Sequence, residues 1–179
     1  MDKKLKQEFE KEGIKREKTI LLSRETIKIS KLIISAIHNN NLKEADKQTK
    51  VILDKIKEIK KIKYEDANYS MAFQEYVEAI LLLEYAKTSK ILPFSKFSCS
   101  SSDYILGLID FVGELQRRAV LEISRNNENE LPKIYKDVTK IYNHLLTYSF
   151  RGNIRKKFDS VKYIMIKMED LLLQLKLKK

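Results

Sequence analysis

Apolar residues recur at alternating steps of three and four along most of the chain, which is typical of amphipathic helices. Two such lines follow one another in the first third of the chain: Thr19, Leu22, Thr26, Ile29, Ile33 and Ala36, and then Leu42, Ala45, Thr49, Ile52, Ile56 and Ile59. A second apolar line lies beside the first and recurs every seven residues: Ile20, Ile27 and Ile34. They predict one helix over about 15–36 and a second from 42, separated by the asparagines 39–41. Because this connection is short, we expect the two helices to be antiparallel neighbours. Residues 1–14 are strongly charged, and we expect a frayed helical extension that Gly13 interrupts.

The remaining pattern predicts four more helices. A third helix over about 69–88 follows the capping oxygens of residues 66–68, and residues 89–102 form a long loop. A fourth helix, capped by Ser102 and Asp103, reaches about residue 125, and a fifth has Pro132 in its first turn and ends near residue 148. After a break at 151–153, a last helix carries the apolar residues Ile154, Phe158, Val161, Ile164, Met168, Leu171 and Leu175. We therefore predict an all-α fold, with residues 1–179 as a single domain of about six to seven helices.

The composition favours this fold class and excludes others. Four glycines and two prolines in 179 residues are too few for the turns of an all-β protein. The single cysteine, Cys99, excludes an internal disulfide bond and fits a reducing compartment, and we expect it to be inert. No apolar run approaches the roughly 18 residues of a membrane-spanning helix, and the N-terminus is unlike a signal peptide. We therefore expect a cytoplasmic protein that does not enter a membrane.

The charge balance points to a polyanionic partner. With 36 basic and 25 acidic residues, the chain has a net charge of +11, which suits nucleic acid first and an anionic membrane surface second. The candidate nucleic-acid-binding residues form three clusters: Arg24, Lys28 and Lys31; Arg117 and Arg118; and Arg155, Lys156, Lys157 and Lys162. The alternative is that these clusters are solvated surface, in a protein whose lysine content reflects a lysine-rich genome or a thermophilic source.

Two apolar stretches each bring a pair of carboxylates. In residues 71–83 the only charges are Glu75 and Glu78, which share one helical face with their Cβ atoms about 5–6 Å apart. In residues 104–113 the only charge is Asp110, and Glu114 follows one turn later. Burying like charges together is unfavourable without a positive partner. The pairs could therefore converge on a divalent cation, or they could form ion pairs, for which the candidate partners are Arg24, Arg117 and Arg118.

Four separated motifs, in order along the chain, resemble the family of translin and translin-associated factor X (TRAX). They are Ser23-Arg24-Glu25 followed by Ser30-Lys31 and Ile37-His38; Phe73-Gln74-Glu75-Tyr76-Val77-Glu78-Ala79; Asp103-Tyr104, Leu106-Gly107, Asp110 and Gly113-Glu114-Leu115; and Arg155-Lys156-Lys157-Phe158-Asp159-Ser160-Val161-Lys162-Tyr163. The resemblance runs from about residue 15 to the C-terminus. The second motif is similar to the TRAX branch, and the presence of both glutamates favours that branch over translin. One segment, residues 126–130, departs from the family's usual turn.

The resemblance implies a curved helical bundle that assembles into a closed, hollow homo-oligomer, an octamer. It also implies a Mg²⁺-dependent endoribonuclease acting on single-stranded RNA, with single-stranded DNA as a further ligand. The metal-binding and catalytic acids carry over onto Glu75, Glu78 and Asp110, with Glu114 beside them as a ligand or general base. Mg²⁺ prefers such hard oxygen ligands, and Mn²⁺ is the alternative ion. The bound ion would activate a water and neutralise charge on the phosphodiester, so that hydrolysis leaves a 3′-hydroxyl.

Two other functions stay open on the residues alone. The first is a non-catalytic protein that binds single-stranded RNA or DNA and whose acids are structural. The second is a helical scaffold without a polyanionic ligand. A di-iron site is set aside because it needs Glu-x-x-His pairs, and neither His38 nor His144 stands three residues after a glutamate.

Overall fold

The computed structural model describes residues 2–177, and all regular structure in that range is helical. The α-helices are α1 (Lys3–His38), α2 (Leu42–Ile62), α3 (Ala67–Thr88), α4 (Ser101–Ser124), α5 (Glu130–Leu145) and α6 (Gly152–Leu177), with a short 3₁₀ turn at Phe94–Lys96 before α4. The all-α prediction is therefore confirmed, and the helix number agrees with it. None of these helices in the described range is long and apolar enough to cross a membrane.

The chain divides into two compact units, Met1–Gly107 and Leu108–Lys179. The first unit consists of α1, α2, α3 and the start of α4, and the second of the remainder of α4 with α5 and α6. That residues 1–179 form a single domain stays a prediction.

In the first unit, α1 packs against both α2 and α3 through a line of small polar side chains. The buried residues of this line are Thr19, Ser23, Thr26 and Ser30, followed by Ile33 and Ile37. The predicted line is wrong in part, since Leu22 and Ile29 are only partly buried and two serines take the central places. Helix axes approach more closely where the side chains between them are small, which explains why serine is preferred to leucine there.

The first turns of α1 extend beyond this packed region. Residues 3–18 are all exposed, and the helix runs through Gly13 without a break. The expected interruption at Gly13 is therefore wrong. A glycine inside a helix costs only about 1 kcal/mol relative to alanine, whereas extending an existing helix needs no new nucleation. The segment thus continues a helix that is already nucleated by the packed part of α1.

Two of the three predicted helix caps in the first unit are confirmed. The Asp66 side chain accepts a hydrogen bond from the Tyr69 N–H at 2.9 Å and caps α3, as predicted. The chain reverses after α1 with Asn40 in the left-handed conformation, at a φ of 56°. The predicted cap of α4 is wrong, because Ser100 and not Ser102 accepts from the Asp103 N–H, at 3.0 Å.

In the second unit, α5 packs against α6. The fifth helix begins at Glu130, with Pro132 in its first turn as predicted, and it ends at Leu145, three residues earlier than expected. Its buried face consists of Leu131, Ile134, Val138, Ile141 and Leu145, and that of α6 consists of Phe158, Val161 and Met168. Phe158 stacks on Tyr142, with ring centroids 5.3 Å apart, and meets the edge of Phe150 at the same distance.

Candidate catalytic and nucleic-acid-binding site

The first predicted acid pair lies where one face of α3 passes from solvent into the core. At the exposed end of this face Met71 is 54% exposed, and at the other end Leu82 and Tyr85 are buried. Between them Glu75 is partly buried and Glu78 is only 9% exposed. Both glutamates make a hydrogen-bond or electrostatic interaction in the structure. The two glutamates therefore lie between the exposed and the buried end of this face, and Glu78 is a buried carboxyl.

The turn of α3 that carries Glu75 is held at close range by Gly107 in α4. A Cβ atom at Gly107 would lie 2.6 Å from the Gln74 carbonyl oxygen and 2.8 Å from the Val77 Cβ, both too close for an ordinary contact. Only glycine therefore permits the observed distance between the two helices at this point. The absence of one methyl group places the backbone of residues 74–77 directly against α4.

A buried carboxylate, Asp103 of α4, forms hydrogen bonds with the same part of α3. Asp103 is 4% exposed and accepts hydrogen bonds from the hydroxyls of Ser70 and Ser100, the latter at 2.7 Å. The Gln74 side-chain amide also donates to this carboxylate, at 3.3 Å. Sequence reasoning gave Asp103 only a capping role. The spacing Ser100-x-x-Asp103, a reciprocal capping pattern, was the available signal, but the partners on α3 cannot be inferred from it.

The second predicted pair lies in the second unit, where both acids meet basic side chains. The Lys157 ammonium donates to the Asp110 carboxylate with an Nζ–Oδ2 distance of 2.5 Å, and the Arg117 guanidinium lies 3.7 Å from Glu114. Burial raises the pKa of the Asp110 carboxyl, Lys157 lowers it by hydrogen bonding and charge, and Glu114 raises it again, so that the net pKa lies above the ordinary value. Ion pairing, the alternative to metal binding, is therefore present at both acids of this pair.

The donor chemistry of each pair suits a hard cation. Mg²⁺ is usually bound by one or two carboxylates, with water and substrate phosphate completing its octahedral shell. Within the described residues 2–177, no group of three or more histidine, cysteine, aspartate or glutamate side chains is placed to hold a metal ion. Two carboxylates in each unit thus meet the minimum that Mg²⁺ requires, and metal binding by these residues stays a prediction.

The predicted nucleic-acid-binding residues differ in their exposure and in whether they form an ion pair with a carboxylate. Arg24, Lys28 and Lys31 are exposed on one face of α1, and Lys156 and Lys162 are exposed on α6. Arg118 is partly buried. By contrast, Arg117 pairs with Glu114, Lys157 pairs with Asp110, and Arg155 pairs with Asp159 through two contacts of 2.9 and 3.0 Å. The α1 cluster is the predicted cluster that lies in the first unit, and all three of its side chains are exposed.

Cys99 lies partly buried in the serine-rich loop before α4. Burial, with a smaller contribution from the Asp103 carboxylate, raises the pKa of its thiol to about 11. Because the thiolate is the reactive form, the raised pKa favours the less reactive thiol at neutral pH. The pKa supports the expectation that Cys99 is inert.

Comparison with known proteins gives consistent matches over nearly the whole chain. A family model described as the Translin family matches residues 14–179. An uncharacterised protein of Methanocaldococcus jannaschii is 30% identical over 160 residues, which are 85% of this chain and 72% of the relative. The crystal structure of apo-NeC3PO is similar at a TM-score of 0.89 and 27% identity, covering 96% of this chain and 95% of that one. An AfC3PO–duplex RNA complex is similar at a TM-score of 0.90 and 20% identity, covering 98% and 96%, and it supports the fold alone.

Proposed function

Because this chain belongs to the translin family, we propose that it is a metal-dependent endoribonuclease of the TRAX-like branch that binds and cleaves single-stranded RNA. The observation that carries the proposal is the acid pair on α3, in which Glu78 is 9% exposed beside a partly buried Glu75. Two neighbouring carboxylates in a shielded position disfavour each other's charge, and a bound cation offsets this repulsion. A divalent cation is the ligand that this arrangement suits best.

The proposed roles follow from the position of each acid. In the first unit Glu75 and Glu78 would be cation ligands. In the second unit Asp110 would be a cation ligand and Glu114 a ligand or general base. When bound, Mg²⁺ or Mn²⁺ supplies an activated water and neutralises charge on the phosphodiester. The chain itself keeps the α3 carboxylates in a fixed position through the close contact at Gly107 and the hydrogen bonds of Asp103.

RNA binding is supported by charge and by a structural relative. The net charge of +11 attracts polyanions, and the exposed Arg24, Lys28 and Lys31 can neutralise successive phosphates from one face of α1. The structurally similar AfC3PO forms a complex with duplex RNA. Contacts of this kind give affinity that falls steeply with salt and depends little on base sequence. Single-stranded DNA is therefore a secondary ligand of the same surface.

Self-association is part of the proposal. Four large apolar side chains of α6 are more than half exposed and recur at helical spacing: Tyr163, Ile166, Leu173 and Leu177. An apolar stripe of this kind favours contact with another helix, which supports a homo-oligomer, with an octamer as the expected number. The one free cysteine fits the proposed cytoplasmic location.

A non-catalytic RNA-binding protein is the second candidate. The ion pairs of Asp110 with Lys157 and of Glu114 with Arg117 favour it, because they neutralise two of the four acids without a metal. In that case the acids of the second unit stabilise the fold and the basic residues alone contact RNA.

Cleavage of a labelled single-stranded RNA, with Mg²⁺ or with a chelator, separates the two candidates. We expect Glu75→Gln and Glu78→Gln to abolish cleavage while RNA binding is kept. Glu84→Gln is the matched control, because Glu84 lies on the same helix, is also partly buried and accepts a hydrogen bond from Thr88. Binding of the RNA without cleavage in Mg²⁺ would leave the non-catalytic candidate. Cleavage that continues in the chelator, or in a folded Glu78→Gln variant, would refute the metal-dependent role of the α3 acids.

A further inference from the structure

Lys157 and Asp110 contact each other, although we expected them to bind different ligands. Asp110 on α4 is a proposed cation ligand, and Lys157 on α6 belongs to a basic cluster expected to contact RNA. In the structure each is the other's partner, with the Lys157 side chain 31% exposed and the Asp110 side chain 28% exposed. An ammonium and a divalent cation on the same carboxylate oxygen repel each other, so that binding of one disfavours binding of the other.

We propose that Lys157 is the internal counter-ion of Asp110, which occupies this carboxylate in the cation-free protein and leaves it when a divalent cation binds. The inference rests on the proposed metal-dependent function and adds a residue that regulates cation affinity. Lysine suits such a role because its ammonium is a single compact charge on a flexible four-carbon stem. The partial exposure of Lys157 gives the stem room to turn outwards.

The surrounding charges agree with this exchange. Asp110 and Glu114 bring two negative charges to this part of α4, and Lys157 and Arg117 bring two positive ones, so that the four side chains are neutral together. Withdrawal of Lys157 leaves a net negative site that attracts a cation. Arg155, in the same cluster, has a bidentate pair with Asp159 on its own helix, so it does not compete for Asp110.

The direct test measures the affinity of the protein for Mn²⁺ alone by isothermal titration calorimetry. We expect Lys157→Met, which keeps the stem and removes the charge, to bind Mn²⁺ about five-fold more tightly than the wild type, the change expected from losing a partly exposed charge pair. Lys167→Met is the matched control, since Lys167 is exposed on the same helix and has no proposed role, and its affinity should be unchanged. Equal or weaker Mn²⁺ binding by folded Lys157→Met would overturn the inference.

A second measurement uses the wild type and does not depend on the folding of a variant. Acetic anhydride acetylates free amines, and mass spectrometry reports the extent at each lysine. We expect Mg²⁺ to increase acetylation of Lys157 and to leave acetylation of Lys167 unchanged. No increase at Lys157, at a Mg²⁺ concentration that supports RNA cleavage, would overturn the inference while the proposed nuclease stands. If the wild type and Lys157→Met both fail to bind Mn²⁺ and cleave no RNA, the proposed nuclease function fails, and this inference fails with it.

Discussion

The contact at Gly107 permits a sharp prediction about the α3–α4 interface. We expect Gly107→Ala to destabilise the protein, because the added methyl group would meet the Gln74 carbonyl oxygen at 2.6 Å and the Val77 side chain at 2.8 and 2.9 Å. Ordinary contacts of a Cβ atom begin near 3.4 Å, so the helices must separate by almost 1 Å or the backbone must bend. Overpacking of this size typically costs about 1–3 kcal/mol.

The same helix offers a control that isolates this steric cost. Gly113 also lies inside α4, and a Cβ atom there would meet nothing within 4 Å. Replacing a helix-interior glycine with alanine stabilises by about 0.5–1 kcal/mol when no clash occurs, and this gain applies at both positions. We therefore expect Gly113→Ala to be slightly more stable than the wild type. The difference between the two variants, about 1–3 kcal/mol, is then the steric cost alone.

Urea denaturation followed by circular dichroism at 222 nm (the helical band) measures both variants against the wild type. Because the contact at Gly107 also positions the turn of Glu75, RNA cleavage should fall in Gly107→Ala and be kept in Gly113→Ala. Equal unfolding free energies for the two alanine variants would refute the argument, since they would show that α3 and α4 are not in close contact at Gly107. A similar loss of RNA cleavage in both variants would refute it as well.

Three further predictions concern a helix cap, the thiol and the aromatic core. Burial tends to raise the pKa of Asp66, but hydrogen bonds from Asn68 and the α3 backbone outweigh it and leave the pKa lowered. The stabilisation of the folded protein by the ionised Asp66 is therefore complete above the unfolded-state pKa of about 3.9 and is lost as the pH falls through the folded-state pKa. Acid should accordingly reduce the difference in unfolding free energy between the wild type and Asp66→Asn, and a difference that does not depend on pH contradicts this. Alkylation of Cys99 by iodoacetamide should be very slow at pH 7 and rise towards pH 11, and fast alkylation of the folded protein at pH 7 refutes the raised pKa. Phe158→Ala should lower the unfolding free energy by about 3–5 kcal/mol, whereas Phe9→Ala, at a site 76% exposed, should leave it nearly unchanged; similar losses would contradict the burial pattern.

Helical periodicity was sufficient to predict the fold class and most helix ends, because both depend on local spacing. Asp66 and the asparagines after α1 act within a few residues of their own positions, so their roles are visible in the sequence. Gly13 was misjudged because its helix propensity is local, whereas the helix around it propagates from a packed segment further along the chain. Ser23 and Ser30 were missed because their burial depends on how closely α2 and α3 approach α1, which their polarity does not indicate.

The candidate site was predictable in its residues and not in their partners. Glu78 was identified because a charge within an apolar stretch is conspicuous, and its burial follows from that position. Lys157 was assigned to RNA because it stands in a run of basic residues, but the structure pairs it with Asp110, 47 positions earlier in the chain. Asp103 likewise bonds Ser70 on another helix. Contacts between distant segments depend on the packing of whole helices, and no local spacing encodes them.

The exposed beginning of α1 has a consequence for how the protein opens. Residues 3–18 extend for about 24 Å before the first buried residue, Thr19. Their amide hydrogens are protected only by the helical bonds of this segment, so they should exchange with solvent by local opening, without global unfolding. A protease should therefore cleave between residues 3 and 18 after local opening of the helix, whereas cleavage beyond Thr19 requires opening of the packed interface itself.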